Sequence, residues 1–133
     1  MPVGYEIDKY RGLIRTRCVG DVTLEEVLDH FRALEKDPEC PHDLDVLLDL
    51  TGCLTKPDTS TLREITQEMA RVSGRVRFGA CAVVVSSDVM FGASRMYTSL
   101  AGDYFRDAQV FRSMDEAQEW LALKRSCPHS RLT

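Results

Sequence analysis

The residues best suited to chemistry gather behind the apolar run Cys81 to Val85, where Ser86, Ser87, Asp88, Ser94 and Arg95 follow in quick succession. Gly92-Ala93-Ser94 approximates the elbow that presents a hydrolase serine, whose hydroxyl attacks an acyl carbon once a base has taken its proton. Met96 stands where the second glycine of that motif belongs, and a helical pattern runs through Ser94 in place of a strained strand-to-helix turn. A serine inside a helix is ordinarily solvated or bonded to its own backbone, and that is the expectation here. A small enzyme would need Ser94 or Asp88 to converge with Arg95 in a closed pocket.

A base to activate such a serine is equally hard to find. His30 lies beside Phe31 in a helical stretch, His42 in a Pro-flanked loop and His129 near the C-terminus. None stands where a strand is expected to end, so neither a triad nor a metal cluster assembles. Cys40 and His42, two positions apart, read as surface loop. Asp49, Asp58 and Asp88 fall near strand ends, where paired carboxylates do acid–base work or hold a hard cation. Helix caps and strand ends account for all three. Arg71, Arg75 and Arg77 surround Gly74, a helix C-terminus and turn, with no Gly-rich phosphate loop or interleaved aromatics beside them. The chain is therefore read as non-catalytic, with no cofactor and no metal.

The bulk composition agrees. With 133 residues, 44% hydrophobic and 29% charged, the chain is ordinary for one soluble globular domain that needs no metal or disulfide staple. A formal charge of -4 argues against nucleic acid or an anionic membrane as partner. No apolar run approaches the length that spans a bilayer. Glu6 and Asp8 close behind Met1 lack the pattern of a signal peptide. The five cysteines are odd in number and scattered, which fits a reducing cytoplasm. Cys18 and Cys81, inside apolar strand patterns, read as small buried hydrophobes.

The elements that must position these groups follow from periodicity. Val3, Tyr5 and Ile7 alternate with polar residues, as do Ile14, Thr16 and Cys18, and the turn ending at Gly12 sets Ile7 opposite Ile14 and Glu6 opposite Arg15. Arg15 and Arg17 then read as cross-strand partners of Glu6 and Asp8. Thr23-Leu24-Glu25-Glu26 is a capping box opening a helix with Leu24, Val27, Leu28, Phe31 and Leu34 on one face. Asp45 to Leu50 is a second buried strand, Thr51 to Pro57 a loop, and a helix from about Asp58 carries Leu62, Ile65, Met69 and Val72 inward. After the strand at Cys81 to Val85 comes a helix whose stripe is Met90, Ala93, Tyr97 and Leu100. Asp107 to Arg112 is a last strand, and Ser113 caps a last helix with Ala117, Trp120, Leu121 and Leu123. One domain is expected over residues 1–123 and a loose tail over 124–133.

The expected order is thus β-β-α-β-α-β-α-β-α: an α/β fold with an N-terminal hairpin, then βαβαβα units in a mixed, mostly parallel five-stranded sheet with four helices. Strands added in sequence order would put every right-handed crossover on one side. Yet Val46 to Leu50 and Ala82 to Val85 are apolar on both faces. The second face must be covered by a rearranged strand order, a partner subunit forming a homodimer, or an apolar ligand.

This order resembles the STAS/SpoIIAA-like superfamily, in particular the bacterial branch also compared with CRAL-TRIO lipid-binding domains. Gly12-Leu13-Ile14, Asp45-Val46-Leu47-Leu48-Asp49-Leu50, Arg77-Phe78-Gly79 with Ala82-Val83-Val84, and Phe91-Gly92-Ala93-Ser94-Arg95-Met96 carry the likeness, over about residues 3 to 123. The resemblance implies a SpoIIAA-like fold and no particular reaction. In anti-sigma-factor antagonists of that superfamily a serine after the helix-start aspartate is phosphorylated by a partner kinase. Asp58 matches the aspartate and Thr59 or Ser60 the acceptor, while Thr61 and Leu62 stand where a small glycine usually follows. A phosphate at a helix N-terminus would meet unpaired N–H groups, and capping by Asp58, Thr59 and Ser60 is the plain alternative.

Met90, Phe91, Met96, Tyr97, Tyr104 and Phe105 crowd one segment, more than a single helical face can bury. The expectation is a cytoplasmic binding or regulatory module that engages a partner protein or a small apolar ligand, such as a lipid, through residues 86 to 105. Ser86, Ser87, Asp88, Met90, Phe91, Ser94, Arg95, Met96, Tyr97 and Tyr104 are its candidate contacts.

Overall fold

The N-terminal alternation becomes a hairpin of β1 (Val3–Asp8) and β2 (Leu13–Gly20) in the computed structural model, which describes residues 3–38, 43–74 and 77–125. Its register is the expected one, Ile7 opposite Ile14 and Glu6 opposite Arg15. Gly12, at φ 59, supplies the left-handed residue that the turn requires. Cys40, His42, Arg75 and His129, considered above, lie outside the described residues, as does the last of the five cysteines, Cys127.

The remaining elements alternate as periodicity predicts. They are α1 (Leu24–Lys36), β3 (Asp43–Cys53), α2 (Thr59–Val72), β4 (Arg77–Val84), α3 (Asp88–Leu100), β5 (Asp107–Phe111) and α4 (Met114–Arg125). Lys124 and Arg125, assigned above to a tail, close α4; residues 126–133 lie outside the described residues. Each helix start carries the hydrogen bonds its sequence encodes. Glu26 N donates to Thr23 Oγ1 at 3.2 Å while Thr23 N donates to Glu26 Oε1 at 2.8 Å, completing the capping box. Asp58 accepts from Thr61 N, Ser87 from Met90 N and Ser113 from Glu116 N. Thr51 to Cys53, expected in a loop, instead prolong β3, because Val19 and Gly20 at the end of β2 pair with Gly52 and Cys53.

The sheet runs β1-β2-β3-β4-β5, antiparallel only between β1 and β2. Sequential order sends α1, α2 and α3 to the first face, as right-handed crossovers require. There Phe31, Leu34, Ile65, Met69 and Met90 meet Ile14, Leu44, Cys81 and Val83. On the second face the structure shows a covering not named above, from within the chain itself. It is α4, whose Ala117 and Leu121 are buried against Leu13, Leu47, Ala80, Ala82, Val84 and Phe111. Among the described residues α4 is not a crossover between two strands, which leaves it free to take the other side. It packs where apolar strand surface remains.

The β1–β2 part of that face is charged. Arg15 pairs with Asp8 at 3.7 Å, while Arg17 pairs across to Asp49 on β3 at 4.0 Å and not with the hairpin partner expected for it. Near α4 one carboxylate is deeply buried: Asp45, 3% exposed, accepts from Ala80 N at 2.9 Å and lies 3.4 Å from Arg106 Nη2. A Cβ on Gly79 would run into that carboxylate oxygen, which explains the glycine at the irregular β3–β4 register.

Candidate functional site

Between the first sheet face and α1, α2 and α3 lies a cavity of about 320 Å³. Its wall is predominantly apolar, with Leu48 and Ile14 from the sheet, Val27 and Phe31 from α1, Leu62 from α2 and Met90 from α3. The exposed lining residues Thr23, Lys56 and Asp58 mark a mouth at the C-terminal ends of β2 and β3. That is the edge of an open α/β sheet where ligands generally enter. Two loops framing it are tied together, since Leu54 N donates to Gly20 O at 2.9 Å and Val22 N to Thr55 Oγ1 at 2.8 Å.

Each covering helix has a polar residue among its inward positions. The helical spacing i, i+3, i+4, i+7 unites Val27, His30, Phe31 and Leu34 on α1, Leu62, Ile65, Thr66 and Met69 on α2, and Met90, Ala93, Ser94 and Tyr97 on α3. Thr66 Oγ1 donates back to Leu62 O at 2.8 Å and is satisfied within its own helix. Ser94 is not. It is 3% exposed, lines the cavity, and its Oγ has no hydrogen-bond partner among the described residues. The expectation of a solvated or back-bonded serine is therefore corrected: with Met90, Ala93 and Tyr97 turned to the interior, position 94 is carried inward too.

His30 was missed as a site residue, although its three- and four-residue spacing from Val27 and Leu34 was the signal for it. Its Nε2 lies 3.4 Å from Thr16 Oγ1, its ring meets Tyr5 edge-on, and its Nδ1 is buried without a partner among the described residues. Burial lowers the imidazole pKa to about 4, so the ring is neutral at pH 7. Burial likewise pushes the Cys18 thiol on the cavity wall up to about 12, with the nearby Cys53 and Asp49 adding to the rise, which leaves it a protonated, unreactive hydrophobe. The Tyr97 phenol is raised well above its ordinary value by burial and donates to Met69 Sδ at 3.1 Å.

The candidate contacts of residues 86 to 105 divide. Met90, Ser94 and Tyr97 line the cavity. Ser86 donates to Thr51 O at 3.1 Å, Ser87 caps α3, and Asp88 pairs with Arg112 at 2.5 Å, so these three close the C-terminal edge of the sheet. Phe91 packs on the core with the Arg112 guanidinium 4.8 Å from its ring centre. Arg95 borders a separate polar hollow beside β5, and Tyr104 packs against the core without lining the cavity. Met96 is 44% exposed, its sulfur accepting from Thr59 Oγ1 at 3.5 Å. Asp88, Ser94 and Arg95 do not converge: Ser94 faces the interior, whereas Asp88 and Arg95 are exposed outside it.

Asp49, Asp58 and Asp88 do not converge either. Asp49 accepts from Thr51 and pairs with Arg17, and the Asp58 carboxyl is held below its usual range by the Thr61 backbone N–H it accepts. No group of three or more His, Cys, Asp or Glu among the described residues is placed to hold a metal ion. Thr59 and Ser60 are exposed in the first turn of α2, beside the mouth. Among the described residues, no helix is long and apolar enough to cross a membrane.

No protein-family model matches the sequence, and no curated protein matches it. Among solved structures, the chain is similar to an uncharacterised protein of the DUF3478 family with a SpoIIAA-like fold from Shewanella loihica PV-4. The two share 15% identity over 90% of this chain and 91% of that one, with a TM-score of 0.61. The hairpin, the sequential sheet and the four helices described above are thus a SpoIIAA-like fold.

Proposed function

We propose that this protein is a binding module that takes up one small, largely apolar molecule between the sheet and its three crossover helices. The observation that carries this is the cavity itself. Protein interiors are packed like organic crystals, and a volume of about 320 Å³ left unfilled by the protein's own side chains forfeits many dispersion contacts within the chain. It falls at the lower end of the volumes that hold small ligands. At about 30 Å³ per water-sized group, it accommodates roughly ten non-hydrogen atoms. That size suits a medium-length chain or a small substituted ring better than a long-chain lipid.

Native mass spectrometry of the purified protein incubated with n-butylbenzene tests this. One adduct per chain is expected, and it should disappear in Ala93→Leu, whose larger side chain fills the space beside Met90 and Ser94. Uptake that is absent, or equal in both proteins, contradicts the proposal.

A second reading draws on the exposure of Thr59 and Ser60 beside Asp58 at the mouth: a phosphate on either would add negative charge where α2 begins. Incubation with candidate kinases followed by peptide mass spectrometry decides it, and no phosphate on either residue removes it.

A further inference from the structure

We infer that Ser94 is the specificity residue of the cavity, and that the ligand it selects carries an uncharged oxygen, a hydroxyl or a carbonyl. The inference rests on the ligand-binding reading above and names the ligand's polar chemistry. Ser94 Oγ is buried and unpartnered, whereas Thr66, on the corresponding inward position of the neighbouring helix, bonds its own backbone at 2.8 Å. A helical serine has the same backbone carbonyl available four residues earlier, yet Ser94 does not use it. A buried hydroxyl without a partner is costly to leave unmade, and a ligand oxygen reaching the wall of α3 would satisfy it.

The rest of the lining restricts that oxygen to a neutral group. Among the described lining residues only Lys56 and Asp58 carry formal charge, and both are exposed at the mouth. His30, the one further titratable base on the wall, is neutral at pH 7. A carboxylate beside Ser94 would be buried with no countercharge, which the interior disfavours strongly. An alcohol or ketone of the same length meets no such penalty. The ligand class is therefore a medium-chain or small-ring alcohol or carbonyl compound, apolar body toward the sheet and oxygen toward α3.

Calorimetric titration of the full chain at pH 7 with n-nonanol, nonanoate and n-butylbenzene tests this. Nonanol is expected to bind at least roughly tenfold more tightly than nonanoate. Ser94→Ala should weaken nonanol about fivefold relative to butylbenzene, the worth of one neutral hydrogen bond. Ser94→Cys, whose thiol is a weak donor on a side chain of similar shape, gives the same comparison. Nonanol affinity insensitive to both variants, or nonanoate binding as tightly as nonanol, overturns the assignment to Ser94 while leaving the cavity as a binding site. Failure of both nonanol and butylbenzene to bind overturns the two together.

Discussion

The two faces of the sheet solve the same problem differently. Under α4, small strand residues (Ala80, Ala82) and large ones (Leu47, Val84, Phe111) meet Ala117 and Leu121, none of which lines the cavity. Trp120 closes the edge, its ring 5.6 Å from that of Phe111. Under α1 to α3 the strand residues are equally apolar, yet the layers enclose space and leave Ser94 Oγ and His30 Nδ1 without a partner among the described residues. A face that only stabilises the fold fills its volume with its own side chains. The opposite face retains room and unused hydrogen-bonding capacity, which is what a binding site needs.

The largest expected effect comes from a matched pair of truncations. Leu121 and Leu62 are both helical and both buried, 5% and 3% exposed, but only Leu62 lines the cavity. Leu121→Ala should cost about 3 kcal/mol, the usual price of a new void in a filled core. Leu62→Ala should cost about 1 kcal/mol less, since part of its surface already lacks partner atoms. Urea midpoints of the two variants check this, and equal losses would erase the contrast between the faces.

Next in size is a pH effect confined to the cavity side. Burial holds His30 at a pKa of about 4 in the fold, against 6.5 for an ordinary histidine. The unfolded chain therefore takes up a proton on acidification that the folded chain refuses. Stability is fully present above the unfolded value and is lost as pH falls from 6.5 toward 4. Between pH 7 and pH 5 the loss should be roughly 2 kcal/mol. In His30→Phe that part of the pH dependence should vanish, seen as a smaller fall in melting temperature over the same interval.

Much of this architecture was legible beforehand. Alternation gave the hairpin and its register, and Thr23, Asp58, Ser87 and Ser113 announced the helix starts, because caps and strand patterns are local physics. The position of α4 was not legible, since periodicity says which residues face a core and not which side of a sheet holds it. Nor was the cavity, because an apolar wall around space and one around neighbours read alike in sequence. His30 and Ser94 were obscured by residue type: a histidine and a serine at inward positions carry no sign that they lack partners. The Met and aromatic surplus after Gly92 pointed to the right helix, and it is the inward members Met90 and Tyr97 that reach the cavity.

The smallest effect runs against intuition. Ser94→Ala should stabilise the ligand-free protein by about 1 kcal/mol, because it removes a buried hydroxyl with no partner. Thr66→Ala, which breaks a satisfied back-bond, should give no such gain. Thermal melts of the two variants distinguish a group kept for a ligand from one kept for the helix.

We place the guest on one face of this sheet only, and methyl NMR of the full chain titrated with n-nonanol decides it. Saturable shifts are predicted at Val27, Leu62 and Met90, with Leu47, Ala117 and Leu121 beneath α4 unmoved. Shifts spread evenly over both sets, or absent from the first, would contradict it.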